Sequence, residues 1–113
     1  MGQTPKEDLL LALQDPEFVR LFGSERAKTE LAFAVNRARR QRGMTQRELA
    51  DRLGRTQPYI AKLESGEANP TIGAVGSLLA VLGLRLVIHT EPLVRREATS
   101  APETKADGEP YTP

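Results

Sequence analysis

The side chains best suited to chemistry in this 113-residue chain are the polar ones that follow residue 54. Gln57 carries an amide whose donor and acceptor match the N6 and N7 groups on the major-groove edge of adenine. Thr56 and Tyr59 place hydroxyl groups close to it in sequence, and hydroxyl groups also reach base edges. These three residues predict direct readout of DNA bases, with Gln57 making the principal contact.

Positive charge is concentrated around the same segment. Residues 1–25 hold two basic and five acidic groups, residues 26–62 hold ten and three, and residues 63–113 hold four and seven. The overall charge of +1 therefore conceals a basic middle segment, which is the electrostatic footprint of a nucleic-acid binder. Three of its cations are expected to contact phosphates: Arg47, Arg55 and Lys62. Four arginines ahead of them form either a further phosphate-binding row or a solvated helix face: Arg37, Arg39, Arg40 and Arg42.

Two short helices joined by a turn are expected to position these side chains. The first begins with a capping box, because Thr45 is followed three residues later by Glu48. Leu49 and Leu53 supply its apolar face, and Gly54 is able to take the left-handed backbone conformation that closes a helix.

The second helix carries the polar set. Thr56 is suited to cap it, and Pro58 falls in its first turn, where a missing amide hydrogen costs little. Ile60 and Leu63 are spaced to pack inward, and Gly66 marks its end.

The pattern TQ..LA..LG.....I..LE.G..NP, which starts at Thr45, resembles the helix-turn-helix domain of the Xre family, which includes the lambdoid phage repressors and Cro. The resemblance covers roughly residues 36–82. It implies a compact bundle of about five helices whose second motif helix enters the major groove. Base contacts are then expected from the first turn of that helix, with a lysine one turn on: Thr56, Gln57, Tyr59 and Lys62.

Three further residues gain a role only from this resemblance. Gln46 would contact a phosphate and brace the recognition helix. Glu64 would either brace the loop that follows the helix or touch DNA. Pro58 stands where some relatives carry a polar residue, so one potential base contact is absent and the operator sequence is not transferable.

Helices are also expected on both sides of the motif. Residues 5–13 predict a short leucine-rich helix, and Asp15 is suited to cap a new start after it. Residues 24–42 predict a longer helix with a buried stripe at Ala27, Leu31, Ala34, Val35 and Ala38. Thr71 caps a last helix that ends at Gly83, with an apolar stripe at Ile72, Val75, Leu78, Leu79 and Leu82.

A short strand is predicted after Gly83, where Leu84, Leu86 and Ile88 alternate with other residues. A single strand leaves its ladder groups unpaired, so its expected partner is the same strand of a second subunit. The predicted fold is an all-α, lambda-repressor-like bundle with an N-terminal helical extension and this dimerisation strand. The expected boundaries are 1–25 for the extension, 26–83 for the helix-turn-helix domain, 84–92 for the strand and 93–113 for a flexible tail.

The whole layout resembles HigA-type antitoxins, because a DPEF segment, a long helix, the Xre unit and a GLRLVI segment follow one another. The strand and tail are also similar to HipB. These resemblances imply a homodimer that represses its own operon and binds a toxin, either RelE/HigB-like or a HipA-like kinase. The toxin would contact the acidic, leucine-rich N-terminal region at Leu9, Leu10, Leu13, Phe18 and Phe22.

Two alternatives stay open at this point. The N-terminal region is equally consistent with a strap packed on the domain, and the whole chain is consistent with a stand-alone dimeric Xre repressor that has no toxin. Operator DNA is the common partner in both interpretations. The neighbouring gene would distinguish them.

Composition argues against other classes of function. The chain has no cysteine, so it lacks disulfides and thiolate metal sites. His89 is its single histidine and has no candidate ligand or base partner nearby, so we expect no enzyme activity, metal or cofactor. Apolar runs are too short for a membrane span and no signal peptide precedes them, which favours a cytoplasmic, nucleoid-associated protein.

Overall fold

The computed structural model describes residues 4–94, and these residues form five α-helices and no β-strand. The helices are α1 (Pro5–Ala12), α2 (Pro16–Gln41), α3 (Gln46–Leu53), α4 (Gln57–Glu64) and α5 (Ile72–Val81). This architecture confirms the predicted helical bundle. None of these helices combines the length and the apolar character that crossing a membrane requires.

Threonine side chains begin the motif helices, as the sequence predicts. The Thr45 hydroxyl accepts a hydrogen bond from the Glu48 backbone N–H at 3.1 Å, and the Glu48 carboxylate accepts one from the Thr45 N–H at 3.3 Å. Thr56 caps α4 by accepting from the third residue of that helix, and Thr71 caps α5 in the same way. Gly54 follows α3 with a φ of 74°, in the left-handed region that favours glycine.

The first long helix differs from the prediction. A single 26-residue helix, α2, replaces the separate segments expected after Asp15 and from Ser24. Asp15 caps it by accepting from the Glu17 backbone N–H at 3.0 Å. Gly23 does not interrupt the helix, because an interior glycine costs only about 1 kcal/mol relative to alanine. The expected domain boundary between residues 25 and 26 therefore falls inside α2.

The core lies where the second half of α2 meets α3, α4 and α5. Its most deeply buried side chains are Val35, Leu49, Ile60 and Leu78, all predicted to face inward. Burying a side chain of this size contributes roughly 1.5–3 kcal/mol. This core holds the two motif helices in one fixed arrangement.

Three residues predicted to be in the core lie at the surface. Ala27 and Ala34 of α2 are exposed, and Ala32 is buried instead. Ala27 lies before the part of α2 that reaches the bundle, since no residue of α2 ahead of Ala32 is buried. Ile72 is 66% exposed because it occupies the first turn of α5, ahead of the buried positions Leu78 and Leu79.

The predicted strand over residues 84–92 is not formed in the described chain. Leu84 instead donates its backbone N–H to the Leu79 carbonyl at 2.8 Å, which completes the end of α5. A strand requires a neighbour for its ladder, and the described helices offer none. Leu84, Leu86 and Ile88 are all exposed. The predicted tail falls largely on residues 95–113, which lie outside the described part of the chain.

The start of the described chain stands apart from the core. We call residues 4–30, which comprise α1 and the first half of α2, the arm. No residue of the arm is buried. Leu10, Leu11 and Leu21 expose 45%, 50% and 58% of their surface, so the arm is not a strap packed tightly on the domain.

Candidate nucleic-acid interface

The two motif helices place a pair of glutamines side by side. Gln46 is the first residue of α3 and Gln57 is the first residue of α4. Because the Arg55 N–H donates to the Ala50 carbonyl at 2.8 Å, the turn between the helices is tight. The Gln57 side-chain Nε2 donates to Gln46 Oε1 at 2.7 Å. The first turns of both helices are thereby joined at one point.

A second set of bonds connects this glutamine pair to the interior. Gln46 Nε2 donates to Glu64 Oε1 at 3.3 Å, and Asn36 Nδ2 donates to the same oxygen at 2.7 Å. Arg39 completes the set, with Nε donating to Glu64 Oε2 at 2.7 Å and a terminal nitrogen donating to Oε1 at 2.9 Å. Three helices, α2, α3 and α4, therefore meet at one carboxylate.

The centre of this network is a buried ion pair. Only 11% of the Arg39 side chain and 5% of the Glu64 side chain are exposed. Burial raises the pKa of Glu64, but hydrogen bonds from Arg39, Asn36 and Gln46 outweigh it and leave the pKa below its ordinary value. The bonds to Glu64 raise the pKa of Arg39 against the opposing effect of burial. Both groups are therefore charged at neutral pH.

The ion pair bears on two interpretations that the sequence left open. Glu64 was expected to brace the loop after the helix or to touch DNA, and it instead bonds to α2 and α3. Arg39 is not part of a phosphate-binding row, because its guanidinium also donates to the Met44 carbonyl at 2.7 Å and is enclosed. The other arginines of that row, Arg37, Arg40 and Arg42, are exposed.

Sequence reasoning missed the roles of Asn36 and Arg39. One signal was present, since Arg39 follows the buried Val35 by four residues and so shares its helix face. An arginine on a buried face needs a buried acid, and Glu64 was the candidate left without a fixed role. Asn36 gave no comparable signal.

The predicted base-reading residues lie together at the start of α4 but differ in their surroundings. Gln57 is exposed, and its bond to Gln46 leaves Oε1 and one amide hydrogen for another partner. The Thr56 hydroxyl accepts from the Tyr59 backbone N–H at 3.4 Å, which is its capping role. Tyr59 is half-buried and packs against the core, with the Arg55 guanidinium 4.9 Å from its ring centroid.

The predicted phosphate-binding cations surround this turn. Arg47 is in the first turn of α3, Arg55 is in the turn between the motif helices, and Lys62 is in the last turn of α4. All three are exposed. In the described residues, no group of three or more histidine, aspartate and glutamate side chains is arranged to hold a metal ion.

Comparison with protein families matches residues 35–88 to HTH_3, described as helix-turn-helix. This range begins in the part of α2 that contributes to the core and extends past α5. It excludes the arm. No solved structure matches the chain significantly.

Several proteins are similar to this chain. An uncharacterised HTH-type transcriptional regulator of Sinorhizobium fredii, y4dJ, is 38% identical over 63 residues, which are 56% of this chain and 78% of that protein. An uncharacterised HTH-type transcriptional regulator of Haemophilus influenzae is 41% identical over 51 residues, or 45% of this chain and 52% of that protein. Human endothelial differentiation-related factor 1 is 31% identical over 62 residues, and this chain spans 42% of its length.

The geometry and the comparisons agree. The capped motif helices, the αL turn at Gly54 and the joined glutamines form a helix-turn-helix unit, and the Sinorhizobium regulator aligns with this chain over most of its own length. The chain belongs to the Xre type of the helix-turn-helix family and is a DNA-binding regulator of transcription.

Proposed function

We propose that the protein reads operator DNA by placing the first turn of α4 in the major groove. The observation that supports this most is the hydrogen-bonded chain from Glu64 through Gln46 to Gln57. It holds the Gln57 amide before DNA arrives, so little further ordering is needed when the amide meets adenine. A good bidentate contact of this kind discriminates between bases by roughly 1–3 kcal/mol.

The surrounding residues supply affinity and register. Arg47, Arg55 and Lys62 contact phosphates on either side of the reading turn, and the second amide hydrogen of Gln46 reaches a phosphate as well. Thr56 is placed at the same groove edge and adds a base contact. Two copies of the chain read two half-sites about one DNA turn apart.

The test is quantitative binding of the full chain to a selected operator and to random DNA. Gln57→Ala is expected to weaken operator binding by roughly 1–3 kcal/mol and to relax preference at one base position. Gln14→Ala is the matched control, because Gln14 is an exposed glutamine of the arm, and it should leave both affinities unchanged. Equal losses on operator and random DNA for Gln57→Ala would remove this residue from direct readout.

We further propose that the regulator is an antitoxin that represses its own operon in the cytoplasm. Its toxin would be RelE/HigB-like or, as the second choice, a HipA-like kinase. The supporting observation is α1, which has no buried residue and combines the exposed Leu10 and Leu11 with Glu7 and Asp8 in its first turn. An apolar and acidic surface of this kind suits a basic, RNA-handling enzyme.

The second candidate is a stand-alone repressor. The family match that excludes the arm and the names of the two bacterial relatives favour it. Co-expression of the tagged chain with the product of the adjoining reading frame decides between the two. Co-purification that Leu10→Glu with Leu11→Glu abolishes would support the antitoxin. Specific DNA binding without a captured partner would leave the stand-alone repressor.

A further inference from the structure

The outer face of α2 carries a stripe of side chains that points away from the bundle core. It consists of Phe22, Arg26, Phe33 and Arg40 of α2 together with Asp15, the residue that caps this helix. Intervals of four and seven residues place the four helical members on one side of α2, and Asp15 stands at its start. Phe33 is 68% exposed, although it lies beside Ala32 and close to Val35, which are both buried.

Aromatic rings accumulate along this stripe. The Phe18 and Phe22 rings stack with their centroids 5.8 Å apart. A shallow open groove runs from Phe22 to Phe33, and its floor includes Thr29. All three phenylalanines of the chain therefore lie on or beside the outer face of α2. A large exposed ring in such a setting is typical of a contact surface.

We propose that this stripe is the contact face of a homodimer in which the α2 helices of two copies pack antiparallel. In that arrangement, Phe22 of one copy lies opposite Phe33 of the other. Asp15 lies opposite Arg40. Both pairs share one midpoint, between residues 27 and 28, so a single twofold axis through that point creates them together.

The charges near this midpoint fit the same arrangement. Arg26 and Glu30 form an ion pair within the helix, at 3.2 Å, and their side chains are 51% and 68% exposed. Their own midpoint is residue 28, which lies within half a residue of the proposed axis. Arg26 of one copy therefore lies close to Glu30 of the other. Glu25, which the same axis places opposite Glu30, is paired with Lys28 of its own helix at 2.7 Å.

The charge distribution also favours an antiparallel second copy over other partners of the stripe. A parallel pairing would place the two Asp15 carboxylates together and the two Arg40 guanidinium groups together, which opposes association. With one acidic and two basic members, the stripe carries a net charge of only +1, which offers little attraction to a strongly basic or acidic foreign protein. An identical copy is the partner that it matches.

This interface replaces the dimerisation strand expected at Leu84, Leu86 and Ile88. It also assigns Phe18 and Phe22 to the twofold contact, which leaves the α1 leucines for a heterologous partner. The dimer is measured without DNA, so its test is independent of base readout and of the antitoxin role.

The first test is sedimentation of the full chain over a range of concentrations. Phe33→Glu is expected to weaken self-association roughly thirtyfold or more, as loss of a central aromatic contact does. Leu21→Glu is the matched control, because Leu21 is a 58% exposed apolar residue of the same helix outside the stripe. It should dimerise like the unchanged chain. Equal thermal melting of both variants would confirm that neither is unfolded.

The second test uses the paired charges. Arg26→Glu and Glu30→Arg should each dimerise more weakly alone, because each puts like charges across the axis. A mixture of the two variants should form a heterodimer, since each copy then opposes the other with complementary charge. If the two charges acted only within their own helix, mixing the variants would not restore dimerisation.

Three outcomes would overturn the proposal. The first is that the unchanged chain is found monomeric at all concentrations. The second is that the mixture dimerises no better than either variant alone, and the third is that Phe33→Glu remains dimeric. If Leu86→Lys with Ile88→Lys yields monomers while Phe33→Glu does not, the interface belongs to the segment after α5.

Discussion

At the scale of single residues, Tyr59 has a structural setting that the sequence did not indicate. It was expected to read bases, but its ring packs against the core and lies under the Arg55 guanidinium. A cation held over an aromatic ring gains roughly 0.5–1 kcal/mol at an exposed site. We infer that Tyr59 positions Arg55 for a phosphate and that its hydroxyl contributes little.

The corresponding prediction separates the ring from the hydroxyl. Tyr59→Phe should bind operator and random DNA like the unchanged chain. Tyr59→Leu should keep the core filled but release Arg55, which lowers affinity for all sequences and reduces the dependence of binding on salt. Binding measured over a range of salt concentrations tests this. A loss of sequence preference in Tyr59→Phe would return the hydroxyl to base readout.

Glu64 gives a prediction about pH. Its folded pKa lies below the ordinary value of 4.5, so the ion pair stabilises the fold fully above that pH. This contribution is lost as pH falls through the lower folded pKa, because the unfolded chain takes up the proton first. Glu64→Gln should cost roughly 3–5 kcal/mol at neutral pH, since it leaves the buried Arg39 charge unpaired.

The measurement is denaturant unfolding at pH 7 and at pH 3. The difference between Glu64→Gln and the unchanged chain should shrink at the lower pH, because the unfolded state of the unchanged chain takes up a proton at Glu64 more readily than the folded state, whereas the variant has no such group. Glu7→Gln is a control, since Glu7 serves only an exposed cap at the start of α1. A constant difference across the two pH values would contradict the stabilising ion pair.

At the scale of helices, features set by neighbouring residues could be predicted from the sequence, whereas features set by contacts with remote residues could not. The start of α3 at Thr45 and its end at Gly54 follow from capping chemistry within a few residues, so sequence was sufficient. The continuity of α2 through Gly23 and the absence of a strand after Gly83 depend on what packs nearby. The same limit explains why the role of Arg39 was not predicted, because its partner is 25 residues away.

Two glycines, one in the turn after α3 and one within α5, allow a test of these local signals. Gly54→Ala should destabilise the fold by roughly 1–2 kcal/mol, because a φ of 74° strains any residue with a Cβ. Gly73→Ala should stabilise it by about 0.4–1 kcal/mol, since Gly73 is helical and an added Cβ meets nothing within 4 Å. Thermal melting of both variants checks the signs. A stabilised Gly54→Ala would mean that the turn is not held left-handed.

At the scale of the whole molecule, basic charge and exposed apolar surface lie on different segments of the chain. The basic middle of the chain carries the motif helices, whereas the arm is acidic and exposes leucines. The proposed DNA contacts and the proposed protein contacts therefore use different helices. A dimer through α2 would join two reading units, and the twofold axis would then impose symmetry on the operator.

The central claim is that this chain binds DNA by sequence through α4. Selection of binding sites from a random DNA pool by the full chain tests it most directly. We predict enrichment of a pseudo-palindromic site with half-sites about one helical turn apart, bound at least roughly a thousandfold more tightly than random DNA at the same salt concentration. Recovery of unenriched DNA, bound with equal affinity whatever its sequence, would contradict the account.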